Sequence, residues 1–457
     1  MGAMGGGSSD PKAPFAQMMM VALMMSMGVG NLALPSGVED AGLLTFLYMF
    51  LFVAGSMMWS MGAMLRAKGA IEERGIKVFT YQDLGYDLIG GETGRRLVDV
   101  MVVGYQFGVC CAYFAFSTGT LRELMPDALT KVQWTLLLAP LVAVPCNLRH
   151  FRDLGQPAKV ATACYVVAWG TVMVYAFERL AVRGDVYNEN LGPEDARWWF
   201  LLKFFGMLCY AFEGIPATLC QMANTLSEPE RINELVAKAL GGISLVLLAT
   251  GCVGVLAFEH PDNPITLNLM DEFGKGGIPG LVNGLVVCAV LLRYPLQFSP
   301  MISQIEQNLG VGPGSRFRNV APPLGGGDAA VPPEARKLLA AESAALLAGD
   351  DDSIFVGEHD GGFRTIALRC SLVGLTALIA VLVDDLTSII NFVGICFGPS
   401  LAFVLPCFFD IVCIHRRAYR RSKLQLAVSI AIALSTTIFS LLGLGQQIVT
   451  SIAGATD

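Results

Sequence analysis

Apolar residues along this chain do not alternate with polar ones at a short period. They come in blocks of about twenty, the length that crosses a hydrocarbon core roughly 30 Å thick. Short polar connections marked by Gly and Pro separate them. The blocks run Phe15–Pro35, Gly42–Leu65, Arg95–Leu121, Gln133–Leu148, Pro157–Leu180, Arg197–Asn224, Leu235–Phe258, Pro279–Ser303, Arg364–Val383, Thr387–Cys413 and Leu424–Ile448. Backbone in hydrocarbon must satisfy its own hydrogen bonds, so blocks of this length predict helices. The pattern therefore predicts an all-α polytopic membrane protein of about 11 transmembrane helices.

Composition agrees. The chain has 457 residues, 54% of them hydrophobic and 15% charged, whereas soluble domains carry about a quarter charged residues. So little charge cannot cover a water-facing surface of this size, and the lipid bilayer becomes the expected partner. The blocks define one transmembrane domain over residues 15–457, preceded by a Gly/Ser-rich stretch, 1–14, expected to be disordered in the cytoplasm. Within the domain, residues 310–362 carry PPLGGGDAAVPPEARKLLAAESAALLAGDDDS, the composition of a flexible cytoplasmic loop. A short helix over Pro333–Leu347 fits inside it.

Charge adds an orientation. Arg66, Lys68, Arg74, Lys77, Arg95, Arg96, Arg149, Arg152, Lys159, Arg416, Arg417, Arg420, Arg421 and Lys423 fall in connections on one side of the predicted bundle. The other side is acidic, with Glu39, Asp40, Glu194, Asp195, Asp262, Asp271, Glu272, Asp384 and Asp385. The positive-inside rule then places the N-terminus in the cytoplasm and the C-terminus outside or in a lumen. Plasma membrane and vacuole- or lysosome-like organelle both stay open. The net charge of −7 comes without a basic stripe interleaved with aromatics, so no nucleic-acid partner is expected. The 12 cysteines sit in or at the ends of apolar blocks. They imply neither a disulfide framework nor a metal site, and no cofactor is expected. No Walker motif, nucleophile elbow or zinc-type His/Glu motif points to an enzyme.

Two blocks are interrupted. The first reads Ser26-Met27-Gly28-Val29-Gly30-Asn31-Leu32-Ala33-Leu34-Pro35, and the sixth reads Tyr210-Ala211-Phe212-Glu213-Gly214-Ile215-Pro216. Irregular backbone at membrane depth is tolerated where it is buried in protein or lines a cavity. Broken helices in corresponding halves of a carrier mark a midplane binding site. A close-packing face would also use Gly-x-Gly, but Pro216 and the intramembrane Glu213 favour the site.

These motifs resemble the amino acid/auxin permease family of secondary transporters, closest to its vacuolar, lysosomal and proton-coupled branches. GVGNLALP at Gly28–Pro35 is similar to that family's first helix, with Asn31 replacing the usual aliphatic residue. YQFGVCCAYFAFSTGTL at Tyr105–Leu121 resembles its third helix, and YAFEGIPATLCQMANTLSEPE at Tyr210–Glu230 its sixth. ITLNLMDEF at Ile265–Phe273 and YPLQFSPMISQIE at Tyr294–Glu306 resemble its seventh-to-eighth loop and eighth helix. The resemblance implies a LeuT-type fold, a 5+5 inverted repeat with helices 1 and 6 broken. It also implies alternating-access transport of amino acids driven by protons or, in some branches, sodium.

The chemistry of the breaks fits such a substrate. An amino acid brings a carboxylate and an ammonium into low dielectric, where neither can stay unpaired. A half-helix starting near Val29–Leu32 offers free N–H groups and a positive dipole end. We assign Met27, Gly28, Val29 and Gly30 to the carboxylate. Tyr210, Ala211 and Phe212, at the end of the other half-helix, offer carbonyls to the ammonium, and Gly214 leaves room for the substrate. Tyr113 is the candidate hydroxyl donor or lid, against a reading as a packed aromatic. Glu213, a carboxylate placed near mid-membrane, is the proton-coupling candidate, against a role bonding the unwound backbone. Arg293 is a second intramembrane charge. The resemblance puts it on a helix that borders a sodium site, where a fixed cation would substitute for the ion. A snorkelling side chain or a partner for Glu213 are the alternatives. His150, His260, His359 and His415 all lie at block ends or in loops. Asp99, Lys203, Glu306, Arg369 and Asp410 read as interfacial.

The function expected is secondary active transport of small neutral amino acids, proton-coupled rather than sodium-coupled. An amino-acid sensor signalling through 310–362 and the N-terminus is one alternative. A non-transporting structural subunit is the other.

Overall fold

A computed structural model describes residues 14–147, 155–183, 198–212, 214–258, 260–309, 362–383, 385–416, 418 and 422–454. The N-terminal stretch up to residue 13, residues 310–361 and Glu213 lie outside the described residues. Every regular element described is a helix. In chain order they are α1 (Phe15–Ser26), α2 (Val29–Ala41), α3 (Leu43–Glu72), α4 (Tyr81–Gly85), α5 (Gly91–Leu124), α6 (Lys131–Cys146), α7 (Gly155–Glu178) and α8 (Trp198–Ala211). There follow α9 (Ile215–Thr225), α10 (Ile232–Ala257), α11 (Asn268–Phe273), α12 (Gly277–Leu309), α13 (Gly362–Leu382), α14 (Leu386–Cys396), α15 (Leu405–His415) and α16 (Lys423–Gly454).

Eight stretches among the described residues are long and apolar enough to cross a bilayer on their own: α3, the α4–α5 run, α7, α10, α12, α13, the α14–α15 run and α16. The other three expected blocks map to the shorter α6 and to two interrupted pairs, α1–α2 and α8–α9. Large side chains on outward faces, such as Leu51, Val144, Leu382 and Leu424, are 70–74% exposed. In water such a surface would drive aggregation; against acyl chains it is the natural exterior.

Local chemistry sets several boundaries. Thr130 caps α6, its hydroxyl accepting from the Gln133 N–H while the Gln133 side chain accepts from the Thr130 N–H. Thr80 and Asp83 form the same reciprocal cap at α4, a short helix the apolar pattern does not reveal. The first block does not end at Pro35, because α2 continues to Ala41. Proline removes one backbone bond there, and its ring packs against Gly254 of α10, where a Cβ would come within 2.6 Å of Pro35 Cγ. The block Thr387–Cys413 is not one smooth helix. It turns at Phe397 and passes through a π-helical turn, Ser400–Val404, before α15. Pro399 and Pro406 flank that turn, and each lacks the N–H that a regular helix would use.

The packing centres on the two interrupted pairs. Helix α2 lies against α8 and α10, and α1 against α9 and α10. Helix α14 packs on both α5 and α8, while α12 packs on α5 and α7. Ion pairs mark both ends of the bundle. At one end Arg66 meets Asp410 (3.3 Å), Arg74 meets Asp87 (3.0 Å) and Arg95 meets Asp83 (2.9 Å). Lys68 bonds Glu72 and the Asn224 side-chain oxygen, which ties α9 to α3. At the other end His260 sits 2.8 Å from Glu39 and Arg179 2.6 Å from Glu272.

A loop carboxyl at this second end titrates unusually. Burial, then the neighbouring Asp271 carboxyl, with smaller effects from Glu123 and Glu39, pushes Asp262 up to about 6. Its folded-state value lies above the unfolded one, so the protonated form stabilises the fold. That contribution is complete below about pH 4, near the unfolded carboxylate value, and is lost as pH rises through about 6. Asp262→Asn is expected to remove this part of the pH dependence. Thermal unfolding in detergent at pH 4 to 7 checks it: the wild-type midpoint should fall across the window more steeply than the variant's.

Candidate functional site

Both interruptions lie where the glycines are. Helix α1 ends with the Met27 N–H bonded to the Leu23 carbonyl at 3.1 Å. Met27 then turns out of the helix (φ −89°, ψ 80°), Gly28 is extended (φ −113°, ψ −167°), and α2 begins at Val29. The first N–H groups of α2 have no carbonyl within their own helix to bond. In the second pair, the Phe212 N–H closes the last turn of α8 on the Leu208 carbonyl at 3.2 Å. Gly214 follows at φ +96°, ψ −50°, and α9 begins at Ile215 with Pro216 in its first turn. A positive φ suits glycine, and proline suits a first turn because the missing N–H would be unused there. The carbonyls at the end of α8 are left without helical donors.

The two breaks touch. A Cβ on Gly30 would lie 2.8 Å from Tyr210 Cδ1 and 3.0 Å from Ala211 Cα, so only hydrogen fits between α2 and α8. A Cβ on Gly214 would lie 2.5 Å from the Met25 carbonyl oxygen, at the end of α1. The positive N-terminal end of α2 is thus set against the negative C-terminal end of α8. Two opposed helix ends at close range form a frame for one anionic and one cationic group. Val29, Gly30, Tyr210, Ala211 and Phe212 are all buried, and the Phe212 ring packs 5.9 Å from that of Phe50 on α3.

A polar network supports the first break from behind. The Asn31 side-chain N–H donates to the Tyr165 hydroxyl at 3.0 Å, and that hydroxyl donates to the Gly28 carbonyl at 3.1 Å. Asn31 therefore has a structural use for the amide that replaces an aliphatic side chain. Arg293 is buried inside the protein, 4% exposed. Its guanidinium lies 4.8 Å over the Tyr165 ring and donates to the Thr162 hydroxyl at 3.5 Å. Tyr165 thus stands between Arg293 and the unwound segment. Nothing in the apolar pattern of α7 marks Tyr165 for this role.

Sequence reading also missed Gln106 on α5 and Asn391 on α14. Both are buried, and neither the oxygen nor the nitrogen of either amide has a hydrogen-bond partner. Each buried polar group left unpartnered costs about 1–3 kcal/mol. Their helices reach Tyr210 through other residues: the Tyr105 ring on α5 lies 6.4 Å from that of Tyr210, and Gly394 on α14 abuts Tyr210 Cβ. A scan for uncharged amides inside apolar blocks would have found them. Tyr113 is buried on α5, about two turns beyond Tyr105.

Of the charges expected at the interface, Glu306 and Arg369 form a two-bond ion pair (2.7 and 3.2 Å) between α12 and α13, and Arg369 also donates to the Cys146 carbonyl at 3.0 Å. Asp410 is fully buried, held by Arg66 and by the Ser429 hydroxyl at 2.8 Å.

Among solved structures, the fold is similar to Mhp1, a nucleobase-cation-symport-1 family transporter in a closed conformation with bromovinylhydantoin bound. The TM-score is 0.54 at 11% identity, covering 97% of this chain and 93% of that one. It is also similar to MhsT in complex with L-phenylalanine, with TM-score 0.50 at 12% identity over 94% and 98% of the two chains. The architecture is thus that of the LeuT-type carriers. In sequence, the chain is 28% identical to amino acid transporter AVT3A of Arabidopsis thaliana, over 66% of this chain and 69% of the relative. It is 26% identical to amino acid transporter ANT1 of the same plant, over 62% and 65%. With vacuolar amino acid transporter 4 of Saccharomyces cerevisiae it shares 22% identity, over 63% and 40%. The matches thus span about two thirds of the two plant relatives and less than half of the yeast one. The family model described as transmembrane amino acid transporter protein matches residues 12–450, nearly the whole chain. With both broken helices in place and that match end to end, the chain belongs to the transmembrane amino acid transporter family.

Proposed function

We propose that this protein is a secondary active transporter of small neutral amino acids, working by alternating access and coupled to protons. The observation that carries the proposal is the contact of the two helix interruptions, N-terminal end of α2 against C-terminal end of α8 with only Gly30 between. In this reading the N–H groups from Gly28 to Gly30 receive the carboxylate, with Met27 shaping the turn. The carbonyls of Tyr210, Ala211 and Phe212 receive the ammonium. Gly214 lets the chain turn away, Gln106 and Asn391 supply further polar contacts, and Tyr113 closes the site. The close fit at Gly30 favours small side chains.

Coupling follows from charge. Arg293, buried behind Tyr165, opposes a second cation near Gly28, which disfavours sodium. Glu213, one residue before the Gly214 turn, is the group that loads and releases the proton. The 11-crossing count, the 5+5 repeat, a cytoplasmic N-terminus and a flexible cytoplasmic loop over 310–362 belong to the same reading. The relatives named vacuolar favour an internal acidic compartment.

The test is uptake of labelled alanine, proline and glycine into liposomes holding the purified protein, with pH and sodium gradients imposed separately. Uptake should follow the inward proton gradient and ignore sodium. Glu213→Gln should flatten the pH dependence, and a variant with unchanged pH dependence would remove Glu213 from the mechanism. No uptake of any amino acid would end the transport reading.

A further inference from the structure

We propose that Tyr165 of α7 is a positioning residue for the substrate carboxylate, aiming the Val29 N–H into the site; this rests on the transport reading above. The start of α2 is gripped from two sides. Gly30 meets Tyr210 and Ala211 of α8, whereas Gly28 and Asn31 turn to α7, where both bond the Tyr165 hydroxyl. That hydroxyl donates to the Gly28 carbonyl at 3.1 Å. The Gly28–Val29 peptide bond is trans, and in a planar trans unit the C=O and the N–H point in opposite directions. A carbonyl drawn toward α7 therefore sends the Val29 N–H away from α7. That N–H opens the first turn of α2, where no carbonyl of its own helix can meet it. It belongs to the set assigned to the carboxylate.

The direction of the Tyr165 proton is fixed by Asn31. The Asn31 amide donates to the hydroxyl oxygen at 3.0 Å, so that oxygen accepts there and its own proton serves Gly28. The ring is fixed as well. Tyr165 is 1% exposed, and the buried Arg293 guanidinium from α12 lies 4.8 Å over its face. A cation over an aromatic face is attracted by the ring quadrupole, more strongly where water is excluded. The same guanidinium donates to the Thr162 hydroxyl at 3.5 Å, one turn earlier on α7. One turn later, the Trp169 indole N–H donates to the Thr250 hydroxyl of α10 at 2.8 Å. Helix α10 also packs on α2, so the helix carrying Tyr165 is tied to a neighbour of the helix it serves.

The position calls for a hydroxyl, not only for an aromatic ring. Phenylalanine would keep the packing and the Arg293 contact but leave the Gly28 carbonyl and the Asn31 amide without their shared partner. The Gly28–Val29 peptide could then rotate, and the Val29 N–H would lose its aim. The Gly30 N–H, one residue further into α2, would keep its direction. The loss is therefore partial and confined to the carboxylate end of the ligand, because the carbonyls that receive the ammonium lie on α8.

Competition assays in liposomes separate the two ends of the ligand. The labelled substrate is whichever of alanine, proline and glycine the wild type takes up fastest. The competitors are that amino acid and its amide, which keeps the ammonium but carries a neutral group in place of the carboxylate. Tyr165→Phe should weaken competition by the amino acid about tenfold and competition by the amide less than about twofold. Asn31→Leu keeps the Tyr165 hydroxyl without the donor that orients it. It should shift the same ratio in the same direction by a smaller factor, and it decides the matter if Tyr165→Phe does not fold. NMR of the bound amino acid in nanodiscs gives the answer where the amide does not compete. The carboxylate carbon resonance should move in the variant while the ammonium nitrogen resonance stays. An unchanged ratio, equal losses for both competitors, or resonances that both move or both stay overturn the inference and leave the transport reading standing. A wild type that takes up none of the three amino acids overturns both.

Discussion

Alanine in place of Gly30 is expected to lower the rate of amino-acid uptake by about 100-fold while the protein stays folded in the bilayer. The added Cβ would fall 2.8 Å from the Tyr210 ring and 3.0 Å from the Ala211 backbone. Neither is the free end of a flexible chain, so α2 and α8 must part by a few tenths of an ångström or more. The helical backbone itself accepts alanine readily, which is why folding survives. What is lost is the spacing between the first N–H groups of one helix and the last carbonyls of the other. Positioning errors of that order are expensive in rate because the substrate must meet both ends at once. Gly55→Ala on α3, where a Cβ meets nothing within 4 Å, is the control and should transport within about twofold of wild type. Initial rates in liposomes at matched protein content, with size-exclusion profiles as the folding check, decide it. Equal rates for the two variants would mean that the approach of α2 to α8 is packing alone.

The second large effect is on stability. Glu306→Ala should destabilise the protein by about 3–5 kcal/mol, because it leaves a guanidinium buried without its counter-charge. Side-chain exposure is only 6% at Glu306 and 11% at Arg369, so water cannot take over the lost contact. Arg369 also holds the Cys146 carbonyl, and its displacement would loosen α6 and α13 together. Replacing both partners by methionine should recover most of the loss, since two apolar side chains leave nothing unpaired. Thermal unfolding followed by a thiol-reactive dye reads the buried cysteines Cys110, Cys209 and Cys407 as they become exposed. A single substitution with an unchanged midpoint would mean that the pair adds nothing to stability.

The parts of the fold visible in the sequence were those with short-range causes. Blocks of apolar residues announce helices because the bilayer demands them, and Gly28 and Gly214 announce breaks because a helix has little use for glycine at such points. Pro35 misled by the same logic: it marks a helix end in water, but here a glycine on α10 accepts its ring and the helix continues. The turn at Phe397 was hidden because Gly398 and Pro399 sit within an otherwise continuous apolar run. Other features depend on residues far apart in the chain. Tyr165 reaches Gly28 across 137 residues, and nothing local distinguishes it from any aromatic on a membrane helix. Gln106 and Asn391 were overlooked because charge, not uncharged polarity, was the signal sought. Glu306 and Asp410 lie near block ends, as expected, yet each finds a cation on another helix. A cavity near Gly119 joins segments that lie far apart in the chain.

Whether the two helix breaks hold the substrate is decided by a cryo-EM structure of the purified protein in nanodiscs with a transported amino acid bound. Ligand density is expected between the two breaks, with the carboxylate within hydrogen-bond reach of the Gly28–Gly30 N–H groups and the ammonium at the Tyr210–Phe212 carbonyls. Both chain interruptions should persist in that state. Helices running unbroken through Gly28 and Gly214, or a ligand held elsewhere with this junction sealed by side chains, would contradict this placement.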